Sequence, residues 1–267
     1  MIRYIYILLL SAVFAACDLI EYHPYDTHID GLKHIHARAI AEIEELGKHR
    51  DSIKFAVMSD TQRWYDQTHR IVKHINAHSD IDFVVHCGDQ TDFGMTLEFE
   101  WMRDELLKLN MPYVTALGNH DCLGTGRDAF RAMYGEFNYS FNVGNTHFLV
   151  LSTNSLEFSL PFETPDIKFM ARNALSLPDS ISQTVVVMHA APMSDQFKEE
   201  QFDIYDNALK AYPRPLFGLC GHEHRPSVRQ PYAESIPYYL VSSAETMMYY
   251  VFTLYKNGTY KYEEFWL

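Results

Sequence analysis

An α/β fold with a largely parallel sheet is what this 267-residue sequence predicts, and three features carry the prediction. From Ile53 onward, short apolar runs alternate with amphipathic stretches, the pattern of βαβ units. Near the end, two runs flank Asn257-Gly258, a dipeptide suited to a tight turn, so antiparallel strands close the chain. Hydrophobic residues make up 47% and charged residues 21%, values that allow a sizeable core and exclude wholesale disorder.

Taken in order, Lys33 to Leu46 places Ile35, Ala39, Ile40, Ile43 and Leu46 at helical spacing, so one amphipathic helix packs on the domain. Phe55 to Met58 is a buried strand, followed by a helix over Asp66 to His78. Asp82 to Cys87 is a second strand, with a helix over Thr96 to Leu109, and Pro112 to Leu117 a third. Tyr139 to Val143 and His147 to Leu151 form a hairpin about Gly144-Asn145. Asp166 to Leu177 is a helix stopped by Pro178, Thr184 to Met188 a strand, Phe202 to Ala211 a helix, and Leu216 to Cys220 a strand. Tyr238 to Val241, Met247 to Tyr255 and Thr259 to Phe265 read as an antiparallel tail. No repeat or low-complexity stretch interrupts the chain, and one domain over 51–267 accounts for it.

Residues 1–16 read as a lipoprotein signal peptide. Arg3 precedes the apolar run Ile5 to Ala16, which is too short to span a bilayer as a helix. Phe14-Ala15-Ala16-Cys17 resembles a lipobox, making Cys17 the lipidation site and the cell envelope the location, with the membrane touched through the lipid alone. An ordinary secretory signal cleaved before Cys17 is the alternative. Residues 17–50 then hold a tether, over 18–31, and the N-terminal helix. The remaining Cys87, Cys122 and Cys220 are an odd number and no disulfide framework; small buried residues at strand ends is their simplest reading.

The net charge of −13 speaks against a broad basic surface, so no nucleic-acid partner is expected. A phosphate substrate stays compatible, because divalent cations dominate a local field.

Residues able to bind metal gather where the strands end, as ligands do in α/β sheets. Asp60 closes the first strand, Gly88-Asp89 the second, and Gly118-Asn119-His120-Asp121 the third. His189 follows Met188, and Gly221-His222-Glu223-His224 follows Cys220. Five strands thus deliver two Asp, one Asn and three His to one edge of a sheet. A carboxylate can bridge two cations, with imidazoles and an amide oxygen completing each sphere. Two metals roughly 3.5–4 Å apart can clamp the attacking and leaving oxygens of a displacement at phosphorus. Glycines before Asp89, Asn119 and His222 let the backbone turn sharply.

This series looks like the signature of the calcineurin-like metallophosphoesterases, and the resemblance runs from Phe55 to His224. It implies a β-sandwich of mixed sheets flanked by helices and a hydroxide held between two divalent ions attacking a phosphate mono- or diester. By the resemblance, one ion is held by Asp60, Asp89 and His224, with Gln62 as a fourth ligand, and the other by Asp89, Asn119, His189 and His222. His120 protonates the leaving alkoxide, and Asp121 orients His120. The departure is Gln62, where the family commonly has histidine. An amide oxygen favours manganese, iron or magnesium over zinc at that position.

Weaker signals surround these. Arg63 and Arg225 are candidate phosphate contacts, with helix-start packing the alternative for Arg63-Trp64-Tyr65. Asp92 reads as a helix cap, Tyr139 and Asn154 as core or turn residues, and His86 as a satisfied core residue. His74 and His78, four apart, read as a solvated helix face. Substrate choice is assigned to loops 122–137 and 190–200. The rival readings are a non-catalytic metal-containing envelope binding protein on the same fold and a metal-dependent nuclease. Retention of His120 disfavours the first; the acidic balance disfavours the second.

Overall fold

A computed structural model of the protein describes residue 23, residues 25–158 and residues 164–267. The predicted signal peptide 1–16 and Cys17 lie outside the described residues. In chain order the elements are α1 (Ile35–Gly47), β1 (Ser52–Met58), α2 (Tyr65–Asn76), β2 (Phe83–His86), α3 (Thr96–Leu106) and β3 (Tyr113–Thr115). Then come α4 (Gly126–Met133), β4 (Tyr139–Val143), β5 (Thr146–Leu151), α5 (Ile167–Leu175), β6 (Gln183–Met188), α6 (Glu199–Leu209) and β7 (Pro215–Cys220). The last are β8 (Ser227–Arg229), β9 (Tyr238–Leu240), β10 (Met248–Tyr255) and β11 (Tyr260–Trp266). Among the described residues no helix is long and apolar enough to cross a membrane.

The strands form two mixed sheets, ordered β11-β10-β1-β2-β3 and β4-β5-β6-β7-β9-β8. Uninterrupted apolar runs explain why each central strand is covered on both faces. In β1, Phe55 and Val57 point between the sheets toward Phe148, Val185 and Phe217, while Ala56 and Met58 point to a helical layer holding Ile71, Ile75 and Phe99. In β6, Val185 and Val187 face the inter-sheet core, whereas Val186 and Met188 face Met170, Phe202 and Tyr205. Helices therefore cover the outside of both sheets. Phe55 fixes the middle of the sandwich, stacked on Phe83 with centroids 5.1 Å apart and meeting Phe148 edge-on at 5.4 Å.

Four expectations change. The motif-bearing strands belong to two sheets rather than one: β1, β2 and β3 lie in the first, β6 and β7 in the second. The tail is only partly antiparallel. β10 and β11 pair antiparallel across Asn257-Gly258, but β9 joins the other sheet and runs parallel to β7. The loop 122–137 contains the helix α4, whose eight residues bury Ala129, Phe130 and Met133. The tether is not free of the domain from Asp26 onward, since Thr96 Oγ1 donates to Asp26 O, Arg103 to Asp30 O, and Ile29 is buried.

His36 on α1 is a structural residue that no motif announced. It is buried, its Nε2 accepts from Thr115 N at 3.2 Å, and its ring lies 4.4 Å from that of Tyr139. Burial pulls its pKa down from 6.5 to about 3. The unfolded chain therefore binds a proton that the folded one refuses. The stability this provides is complete above pH 6.5 and is lost as pH falls toward 3. In His36→Gln, which keeps an acceptor and does not titrate, the slope of unfolding free energy against pH below 6.5 should fall by up to ~1.4 kcal/mol per pH unit. Urea titrations across that range read it; an unchanged slope removes His36 from the acid limb.

Candidate metal centre

Main-chain bonds lace the loop after β1 to the loop after β2, and the loop after β7 to the loop after β6. Asp60 N donates to Gly88 O at 2.9 Å, Thr61 N to Asp89 O at 2.9 Å, and Gly221 N to His189 O at 2.9 Å. Four donors in these loops sit in the left-handed region that side chains avoid, with φ of 52° at Asp60, 58° at Asp89, 70° at His222 and 53° at His224. The glycines divide into two kinds. Gly88 needs its freedom, at φ +100°. Gly118 and Gly221 have ordinary φ and are needed for room: a Cβ would meet Asp89 Oδ1 at 2.0 Å in one case and Ser59 Oγ at 2.0 Å in the other. The sharp turn expected at all three is found at Gly88 alone.

Six of the seven expected metal donors come together. Asn119 Oδ1 lies 2.9 Å from His189 Nε2 and 3.0 Å from His222 Nδ1. Asp89 Oδ2 lies 3.3 Å from His189 Nε2, and Asp60 Oδ1 lies 3.2 Å from His224 Nε2. One donor atom from each of Asp60, Asp89 and His189 falls within 4.8 Å of the others. The outer nitrogens say how the rings are turned. His189 Nδ1 donates to Cys87 O at 2.8 Å, so Nε2 is the nitrogen turned toward the two acceptor oxygens, free to hold either a proton or a cation. Gln62, two residues after Asp60, has a buried Oε1 with no hydrogen-bond partner, the state in which an amide oxygen is open to a cation. Oxygens and imidazole nitrogens converging in this way fit divalent cations.

The electrostatics agree. Burial lowers the pKa of His189, yet the carboxylates of Asp89 and Asp60 outweigh it and hold the ring up at about 9. Burial raises Asp60, but His224 and His189 keep its carboxyl below the usual range, and His224 is raised by its contact with Asp60. The carboxylate field therefore demands a cation at this point, and a metal ion meets that demand in place of the proton.

His120 and Asp121 sit beside the cluster with roles that differ from expectation. His120 Nδ1 donates to the main-chain carbonyl of Asp92 at 2.9 Å, so Asp92 O, not Asp121, orients the ring. The Asp121 carboxylate accepts instead from the backbone of Asp89 (3.0 Å), Gln90 (2.9 Å), Thr91 (3.0 Å) and Gly118 (3.0 Å), and from Thr91 Oγ1 (3.0 Å). It ties the loop after β2 to the loop after β3. Burial and nearby Asp89 push its carboxyl up to about 6. A cation on Asp89 cancels the second cause.

Among the weaker candidates, the Arg63 guanidinium is engaged by Asp92, with Nε donating to Oδ1 at 2.8 Å, so Asp92 is an ion-pair partner rather than a helix cap. Arg225 is exposed directly after His224. Tyr65 packs edge-on against Trp101, the packing alternative. Tyr139 donates to Thr115 O and Asn154 to Leu117 O, both supporting β3 and the loop beyond it. His86 is fully buried, accepts from Gly88 N at 3.1 Å and donates to Thr61 Oγ1 at 3.0 Å, a satisfied core residue that also joins two motif loops. His74 and His78 are not a solvated face: His74 bonds Tyr249 OH at 2.8 Å, and both rings pack on Phe265. The three cysteines are buried and unpaired, as expected. Sequence reading missed Asp195, whose Oδ1 lies 2.8 Å from His222 Nε2. An aspartate in a loop, outside any motif, carries no signal of that contact.

Among solved structures, the fold is similar to a dimetal phosphatase from Danio rerio, with TM-score 0.60 and 12% identity, covering 76% of this chain and 93% of that one. It is similar to a purple acid phosphatase from yellow lupin seeds (TM-score 0.62, 12% identity, 81% of this chain), of which it spans only 52%. The anchor protein of the Plasmodium inner membrane complex also shares the fold (TM-score 0.59, 14% identity, 82% and 85%). No curated protein sequence matches the chain. The calcineurin-like phosphoesterase family matches residues 53–226, a span that takes in all five motif loops from Asp60 to His224. By that match and the cluster it encloses, the chain belongs to the calcineurin-like phosphoesterases, a family dependent on two metal ions.

Proposed function

We propose that the protein is a metal-dependent phosphoesterase that hydrolyses a small phosphate mono- or diester, held at the cell envelope by a lipid on Cys17. The observation that carries this reading is the set of acceptor atoms on Asp89, Asn119, His189 and His222 turned onto one another, with His120 beside them. Asp60, Gln62, Asp89 and His224 would hold one divalent ion, and Asp89, Asn119, His189 and His222 the other. Bound there, the pair of ions supplies Lewis acidity and an activated water. Manganese or iron is favoured over zinc beside Gln62, because an amide oxygen is a hard donor. Arg225, exposed, and Arg63, paired with Asp92, are the guanidinium groups nearest in sequence to the donors.

His120 has the position of a general acid. With Nδ1–H given to Asp92 O, its Nε2 is left to carry a proton to the departing alkoxide. In His120→Asn, turnover of aryl phosphate mono- and diesters with manganese should fall by about 10²–10⁴. Metal content should stay unchanged, and the loss should grow as the leaving group becomes poorer. Full turnover on every active substrate would eliminate the proposed acid.

Gln62→His should raise the ratio of zinc to manganese retained after dialysis against both, since imidazole is the better zinc donor. Identical metal content in the two proteins would show that this side chain is no ligand. The same manganese-supplemented screen separates the enzyme from a metal-containing envelope binding protein on this fold, which would turn over nothing.

A further inference from the structure

We propose that Asp195 is a positioning residue for the metal centre: its carboxylate holds the Nε2–H of His222, so that Nδ1 faces the cation, and makes the loop between β6 and α6 part of the site. The inference rests on the two-cation reading above.

An imidazole offers two nitrogens, and the hydrogen bond made by one decides what the other can do. Asp195 Oδ1 lies 2.8 Å from His222 Nε2. An ionised carboxylate only accepts, so Nε2 carries the hydrogen and Nδ1, 3.0 Å from Asn119 Oδ1, is the nitrogen left for a metal. His189 is arranged in the opposite sense, with Nδ1 given to Cys87 O and Nε2 turned inward. Two rings of one cluster thus use different nitrogens, and in each an acceptor outside the cluster makes the choice. For His189 that acceptor is a main-chain carbonyl. For His222 it is a side chain.

Asp195 is 67% exposed, yet it is not set on a loose surface loop. Its Oδ1 also accepts from Gln196 N at 2.9 Å. Gln196 O accepts from Ser155 N at 3.2 Å and from Ser155 Oγ at 2.5 Å, and Gln196 Oε1 from Leu156 N at 3.1 Å. On one side Arg229 donates to Pro192 O at 2.8 Å, and on the other Phe197 is fully buried. Anchors on both sides present the carboxylate at a fixed place. An imidazole paired with a carboxylate is also the stronger donor, so Asp195 adds negative charge to the site without touching an ion.

The test uses metal-free full-length protein with ¹⁵N-labelled histidine, then manganese alone. Long-range ¹H–¹⁵N spectra should show His222 as a single Nε2–H tautomer in the wild type, a mixture in Asp195→Ala, and the single tautomer again in Asp195→Asn, which keeps an acceptor oxygen. Calorimetric titration should find two manganese ions in the wild type, with one of them weakened about 10–100-fold in Asp195→Ala and largely recovered in Asp195→Asn. Asp195→Ala with wild-type tautomer and both affinities intact overturns the proposal, as does Asp195→Asn behaving like alanine. A wild type that takes up fewer than two ions brings down the two-cation reading, and this proposal with it.

Discussion

Asp121→Asn is expected to destabilise the protein by about 3–5 kcal/mol and to strip it of metal, although Asp121 contacts none of the donor side chains. The carboxylate accepts from Asp89 N and Gly118 N with Oδ2, and from Gln90 N, Thr91 N and Thr91 Oγ1 with Oδ1. Asparagine has one oxygen. Whichever way its amide turns, an NH₂ meets at least two buried N–H groups, and each orphaned donor costs about 1–3 kcal/mol. Those groups belong to the loops that set Asp89 and Asn119, so the donors separate as the loops part. Urea unfolding in chelator and manganese uptake both read the effect. His120→Asn, one position away, should show the reverse pattern of intact stability, intact metal and lost turnover. If Asp121→Asn kept wild-type stability and metal and lost only turnover, its role would return to orienting His120.

That contrast marks what a sequence does and does not display. The strands were legible because each central strand is apolar on both faces, as in Phe55 to Met58, and because Asp60, Asp89, Asn119, His189 and His222 stand where apolar runs stop. The two-sheet sandwich was implied by the family resemblance alone, and which sheet each motif strand joins was not legible in the strands themselves. β6 and β7 read the same in either sheet, since register and sheet membership are decided by what lies across the inter-sheet core. β8 escaped because three residues after Pro226, mostly open to solvent, have no apolar face to display. The site followed the same rule. Donors with metal-binding side chains announced themselves, whereas their supports did not. The carbonyl of Asp92 that orients His120 is a backbone group with no residue signature. Asp195 and His36 act across 27 and 79 positions, distances at which only the folded chain brings partners together.

Gly118→Ala should dismantle the centre, and it separates room from conformational freedom as the reason for a motif glycine. The φ of Gly118 is one that alanine adopts without strain, so backbone preference costs nothing. Its added Cβ, however, would fall 2.0 Å from Asp89 Oδ1, 2.2 Å from Asp89 N and 2.8 Å from Asp89 Cα. Two of those atoms are main chain in a loop laced to Asp60, Thr61 and Asp121, so the loop cannot yield locally. Overpacking of this kind costs about 1–3 kcal/mol, sometimes more, and here the displaced residue is the proposed bridge between both ions. Stability should drop and both manganese ions should be lost. Gly221→Ala meets side-chain rather than main-chain atoms, Ser59 Oγ at 2.0 Å, Asp60 Oδ2 at 2.5 Å and Ser59 Cβ at 2.9 Å, all on the loop after β1. It should weaken chiefly the ion on Asp60 and His224 and leave the other. Gly135→Ala is the control, with φ at +121° and nothing within 4 Å of its Cβ. It should cost roughly 1–2 kcal/mol from backbone strain alone and leave manganese binding untouched. Calorimetry and urea unfolding on the three variants give the ranking; a Gly118→Ala protein that binds two ions at wild-type affinity would mean that Asp89 does not bridge them.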